Sequence, residues 1–286
     1  MAEPTGSGQG AFWGTGRRLA LALLLAAPSS EAAAETALKA TYTISIAGLT
    51  IGRVDANSRF TETGYAAVIK GMTSGISRLV SDARATLVGS GRVHGKRVVP
   101  ASYNLETSES GFETHVRMSM QAGAITDLLA IPRLGQAPDR VPLTPDHQRD
   151  IVDPVGAFLM VVDKPGLADG PSICSRTINV FDGWQRFDIG LAYKETRLVT
   201  GTGEAYDGQV VVCTARYVPV AGHREKREAV QYMAANKRLE VWYAPVRDMR
   251  YFVPYRILIG TKYGDLVIAS TRFAAGDAPP KSAAGN

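Results

Sequence analysis

The chain has 286 residues, 45% hydrophobic and 21% charged, with a formal net charge of +5. This is the composition of a globular protein, long enough to bury a substantial core as one large all-β domain or two small ones. The basic excess is mild and no long basic run accompanies it, which disfavours nucleic-acid binding and fits contact with anionic envelope lipids or glycans, or solubility alone.

Arg17 and Arg18 precede an apolar run, Leu19 to Ala27, and then the small-residue segment Ala32-Ala33-Ala34. That is the order of a cleaved secretory signal, so residues 1–34 are read as a signal peptide. The apolar run is far shorter than the ~20 residues of a membrane-spanning helix. No second run is long enough to span, and no Cys follows the first for lipid attachment. The flanks of Arg17-Arg18 match twin-arginine export poorly, which favours ordinary secretion. The expectation is a periplasmic protein of residues 35–275, a single exported β-rich domain, with residues 276–286 as a disordered Ala/Pro/Gly/Ser-rich tail.

From Glu35 onward the pattern has period two. Tyr42, Ile44 and Ile46 alternate with Thr43 and Ser45. Phe112, Val116, Met118 and Met120 share one parity; Phe187, Ile189, Leu191 and Tyr193 share another. One packed face and one wet face is the mark of antiparallel sheet. Gly48 and Gly52 read as bends or bulges. Asp182-Gly183 and Asp207-Gly208 read as two-residue hairpin turns, the first between Ile173–Phe181 and Trp184–Tyr193. Later strands are expected at Leu239–Tyr243, Tyr255–Gly260 and Leu266–Phe273.

Helix signals are few. Asp153-Pro154 followed by Val155–Val162 has an N-cap, a first-turn proline and an apolar run, which predicts a short core helix. Glu225–Asn236 predicts a surface helix, and Ser74–Val80 a single turn. Arg133–Arg149, with its three prolines, reads as an irregular crossing loop. The resulting fold class is mainly β: a large curled antiparallel sheet, half-barrel or spiral, with one or two short helices.

Cys174 and Cys213 are the only cysteines. In an oxidising compartment they point to one disulfide, with two buried free thiols as the alternative. The two lie 39 residues apart, and a loop of that length would stabilise by ~3–4 kcal/mol in the chain-entropy account. His94, His115, His147 and His223 form no metal-ligand spacing, and no metal or cofactor is expected. Neither a G-x-S-x-G elbow nor a phosphate loop occurs, so no catalytic residue is assigned. The mixed-charge run His223–Glu228 reads as a solvated helix face. Trp242, Tyr243, Tyr251, Phe252 and Tyr255 are candidates to line an apolar ligand cavity, the alternative being ordinary sheet core.

Several short segments together resemble the exported bacterial family called domain of unknown function 3108. They begin with Tyr42–Gly52 and Asp153-Pro154-Val155-Gly156-Ala157-Phe158. Val180-Phe181-Asp182-Gly183, Tyr206-Asp207-Gly208 leading to Cys213, Tyr217–Gly222 and Val253–Ile257 continue the series. The resemblance implies a periplasmic protein with a curled sheet like that of lipoprotein-carrier and outer-membrane-receptor proteins, and supplies no catalytic residues. The functional expectation is a non-enzymatic envelope protein whose concave face binds an apolar ligand, a lipid or a lipidated protein partner. A ligand-free envelope scaffold is the alternative, and a glycan or peptide hydrolase stands third.

Overall fold

The computed structural model describes Gly10 and residues 35–75, 81–165, 170–201 and 203–278. The signal peptide read over residues 1–34 therefore lies outside the described residues, Gly10 excepted, as does most of the turn of helix read at Ser74–Val80.

The described residues form one antiparallel sheet of fourteen strands. A first meander comprises β1 (Thr36–Ile46), β2 (Leu49–Thr61), β3 (Gly64–Thr73), β4 (Arg84–His94), β5 (Arg97–Glu109), β6 (Phe112–Gln121) and β7 (Ala124–Ile131). A two-residue strand follows, β8 (Met160–Val161). The second meander is β9 (Arg176–Phe181), β10 (Arg186–Val199), β11 (Gly208–Ala221), β12 (Leu239–Pro245), β13 (Tyr251–Thr261) and β14 (Gly264–Asp277). β1 pairs with β14, which joins the two meanders and leaves β7 and β9 as the outer strands. Two short helices are described, α1 (Gly170–Cys174) and α2 (Glu228–Ala235).

The sheet is curled on itself. In the sheet order β6 and β9 stand eleven strand spacings apart, about 53 Å if the sheet were flat. Yet Val116 and Met118 of β6 share one buried cluster with Phe181 of β9 and Tyr251 of β13. Strand twist accumulated over so many strands accounts for this closure. The ring of hydrogen bonds stays incomplete, because β7 and β9 do not pair with each other.

Residues 150–162 form a strap inside the curl. Ile151 N–H bonds Gly123 O at the β6–β7 turn, 3.2 Å. Val152 N–H bonds Asn179 O at 2.8 Å and Phe181 N–H bonds Val152 O at 3.0 Å, a parallel bridge to the free edge of β9. A 3-10 turn follows at Gly156–Phe158, and β8 then pairs with Tyr251 and Phe252 of β13. Val155, Leu159 and Val161 point into the first cluster, while Met160 and Val162 point into a second one with Ile173, Val211, Tyr243 and Phe252. The strap thus divides the interior in two.

Several expectations need correction. Val155–Val162 is no α-helix: one 3-10 turn leads straight into β8, because the run is apolar on every side and faces core in both directions. Cys174 ends α1 instead of lying on a strand. Asp182-Gly183 does turn a hairpin, but as a four-residue loop in which the Asp182 carboxylate accepts the N–H groups of Trp184 and Gln185 at 2.8 and 2.7 Å. Before Asp207-Gly208 the chain leaves β10 at Val199, and a longer loop covers the outer face. Phe112 stands 81% exposed at the tip of the β5–β6 hairpin, outside the packed parity of its strand. β14 runs through Gly276 and Asp277, two residues into the segment read as a tail; residues 279–286 lie outside the described ones. β13 begins four residues earlier than read, at Tyr251.

The strap sits on a glycine. A Cβ placed on Gly89 of β4 would lie 2.7 Å from the Cβ of Val155, whereas one placed on Gly190 of β10 would meet nothing within 4 Å. Gly89→Ala is expected to cost about 1–3 kcal/mol through overpacking, while Gly190→Ala stays within about 0.5 kcal/mol of the parent. Urea denaturation of the two variants checks this; equal midpoints would refute the close contact.

Candidate functional site

One parity of the second meander leaves apolar side chains on the inner face. Ile178 and Val180 come from β9, Phe187, Ile189 and Leu191 from β10, and Val241 and Tyr243 from β12. The parity Phe187, Ile189, Leu191 read from the sequence as a packed face is the floor of this surface. Ile257 of β13 and Ile268 of β14 face each other directly and extend it. Pro154, Ala157 and Phe158 of the strap form one lip, and Met233 of α2 stands on the other side. Between them is an open cleft with a cavity of about 260 Å³. Phe158 is 38% exposed at its lip.

The lip is fixed by a buried carboxylate. Asp153 is fully buried, and its Oδ1 accepts the N–H groups of Val155 at 2.8 Å and Gly156 at 3.1 Å. These are orphan donors at the start of the 3-10 turn, so the capping role read at Asp153 is realised on a shorter turn. The Tyr65 hydroxyl approaches Oδ2 at 3.5 Å. Burial pushes the Asp153 pKa up to about 6, against the lowering effect of the backbone N–H groups and Tyr65. The same burial, with the Asp153 charge nearby, pushes the Tyr65 hydroxyl up.

At the other end of the cleft wall, α1 is tied to β11 by the disulfide Cys174–Cys213, which spans 39 residues of sequence. Both sulfurs are buried beside Ile173 and Tyr243. The bridge fastens a five-residue helix too short to hold itself.

The model of a protein family of unknown function, DUF3108, matches residues 41–270. The chain belongs to the DUF3108 family. No curated protein matches it in sequence. One solved structure similar to this DUF3108 chain is the β-barrel-like protein of domain of unknown function DUF1849 from Brucella abortus. The two are 10% identical with a TM-score of 0.48, over 86% of this chain and 99% of that one.

The five aromatic candidates do not converge in this DUF3108 chain. Tyr243 lines the cleft, and Phe252 packs in the same cluster beneath it. Tyr251 faces the other cluster, packed against Phe60 with ring centroids 4.7 Å apart and the planes tilted by 36°, its hydroxyl donating to Gly64 O. Trp242 and Tyr255 lie on the outer face with Val210, Val212 and Ala244. There the Arg197 and Arg256 guanidinium groups stand 4.9 and 5.1 Å from the Trp242 ring, and Tyr206 packs on Tyr255. Adjacent strand residues face opposite sides, which separates Trp242 from Tyr243 and Tyr251 from Phe252. The sequence reading missed Phe158, Ile178 and Ile257 as site residues; their role follows from the course of the strap and from distant strand pairing, which no local pattern reveals. Among the described residues no cluster of His, Cys, Asp or Glu could hold a metal ion, and none of the described helices is long and apolar enough to cross a membrane.

Asp153 makes stability depend on pH. Its folded pKa of about 6 lies above the ordinary 3.8, so between those values the native state binds more protons than the unfolded chain. Stability therefore falls as pH rises through this window, by on the order of 3 kcal/mol from this group, and levels off above it. Burial also raises Asp182, which adds a slope of the same sign. Asp153→Asn keeps an acceptor oxygen for Val155 and Gly156 and removes the titration. Its urea midpoint should vary less between pH 4 and pH 7 than that of the parent; identical slopes would contradict the assignment.

Proposed function

We propose that this protein is a non-enzymatic periplasmic envelope protein that binds an apolar chain, belonging to a lipid or a lipidated partner, in the cleft between the strap and the second meander. The observation that carries the reading is the cleft itself. Its floor is built from Ile, Leu, Val, Phe and Tyr side chains, several only half-buried, and it stays open to solvent beside Phe158. Half-exposed large apolar residues in one concavity cost hydration free energy and are the usual mark of a binding groove.

The dimensions favour a slender occupant. The cavity, about 260 Å³, is below the ≈ 300–1,000 Å³ typical of drug-sized pockets. A single acyl chain suits it better than a fused-ring or sugar ligand. The periplasmic placement is supported by the N-terminal order of Arg17-Arg18, apolar run and Ala32-Ala33-Ala34, and by the disulfide. The non-enzymatic reading is supported by what the buried acids do. Asp153 and Asp182, the carboxylates pushed up by burial, accept backbone N–H groups at turns.

The test uses the neutral dye N-phenylnaphthylamine. The parent protein should enhance its fluorescence with saturable binding. Ala215→Trp, which fills the cleft from β11, should weaken binding by about 10-fold or more while the far-ultraviolet circular dichroism stays that of the parent. A parent that binds no dye, or a variant that binds as well as the parent, would overturn the reading.

A further inference from the structure

A second cavity, about 350 Å³, adjoins the cleft. It is lined by Lys96, Arg97 and Arg176, by Asp150 and by strap residues Gly156 and Leu159. The two cavities share Ile178, and the strap residues 156–159 stand between them. On β9, residues 176, 178 and 180 project to one side, so Arg176 continues the row that Ile178 and Val180 begin in the cleft. Its charge also acts on the hydroxyl of Tyr243 in the cleft wall.

The cations of this second cavity are not alike. Lys96 pairs with Asp163 and Arg97 with Asp150, each at 2.8 Å and largely in solvent. Arg176 is half-buried and has no carboxylate partner among the described residues. Among the described residues its side chain makes one hydrogen bond, from Nη2 to the Ser172 carbonyl at 2.9 Å. Burial holds its guanidinium below the usual arginine range. No Arg176 nitrogen is buried without a partner, so its remaining donors open on the cavity and solvent, where an oxyanion could take them up. The planar guanidinium fork suits a carboxylate or a phosphate.

We infer that the cleft receives an anionic amphiphile, with its acyl chain along Ile178, Ile189 and Ile257 and its carboxylate or phosphate head on the Arg176 guanidinium. The inference rests on the reading of the cleft as an apolar binding site and adds the chemistry of the head group. Lys96 and Arg97 neutralise Asp163 and Asp150, so these acids do not repel the head. The ligand passes from one cavity to the other at Ile178, which lines both: Phe158 and Ala157 flank the chain, and Gly156 and Leu159 flank the head.

The test compares dodecanoate, dodecyl phosphate and dodecanol, below their aggregation limits, as competitors of N-phenylnaphthylamine at pH 8. At least one anion should bind about 10-fold tighter than the alcohol, the gain expected of a charge-assisted hydrogen bond pair. Arg176→Gln should abolish that preference and leave dodecanol binding unchanged, while Arg176→Lys retains part of it. Equal binding of all three to the parent would overturn the inference and leave the apolar site standing. So would equal loss of acid and alcohol in Arg176→Gln, which would mark a merely structural arginine. Failure of all three to compete would overturn the cleft reading as well. Thermal melts of both variants confirm that they fold.

Discussion

An open sheet of this length has two free edges to hide, and the strap at residues 150–162 is what manages them. Free edges expose rows of unpaired backbone groups and invite association. Here the strap takes up part of the β9 edge through Val152 and reaches the β6–β7 turn through Ile151. It is held in that course by Asp153, a buried carboxylate that gathers the first donors of the 3-10 turn. Near the opposite edge, Trp184 Nε1–H donates to Pro132 O just beyond β7, at 2.8 Å. The curl is thus fastened by side chains and a crossing segment instead of a closing ladder.

The remaining features depend on this arrangement. Because the strap crosses the interior, the core separates into a filled half under the first meander and a partly open half under the second. The filled half holds Phe60, Tyr65, Tyr103 and Tyr251, all nearly inaccessible. In the other half α1 and its disulfide cover Val211 and Tyr243, while the floor from Ile178 to Ile257 stays partly bare. The ionised Asp153 opposes stability above its pKa, so its retention in the core points to positioning of the strap and not to net stabilisation.

Much of this was legible from local pattern. Strand parity, the Asp182 hairpin, the surface helix near Glu228 and the capping role of Asp153 all follow from residue type and spacing. What escaped depends on distant pairing. Val155–Val162 reads as helix because an apolar run carries no period; β13 and Gly89 decide its conformation from far along the chain. Val210–Cys213 is likewise apolar throughout because both faces are covered, the inner by α1 and the outer by the loop carrying Tyr206. The aromatic residues of β12 and β13 looked like one set in sequence, but parity assigns them to opposite faces. Arg176 gave no signal at all, since an arginine at the start of a strand is ordinary until it is known to pair with no carboxylate among the described residues.

The central claim is that the strap and the second meander enclose the site of an apolar chain. Isotope-filtered nuclear Overhauser spectroscopy with ¹³C-labelled dodecanoate locates that chain directly. Cross-peaks from its methylenes to the methyl groups of Ile178, Ile257 and Ala157 are the predicted result. Cross-peaks confined to outer-face residues such as Val199 and Val218, or none to the protein at saturating ligand, would contradict it.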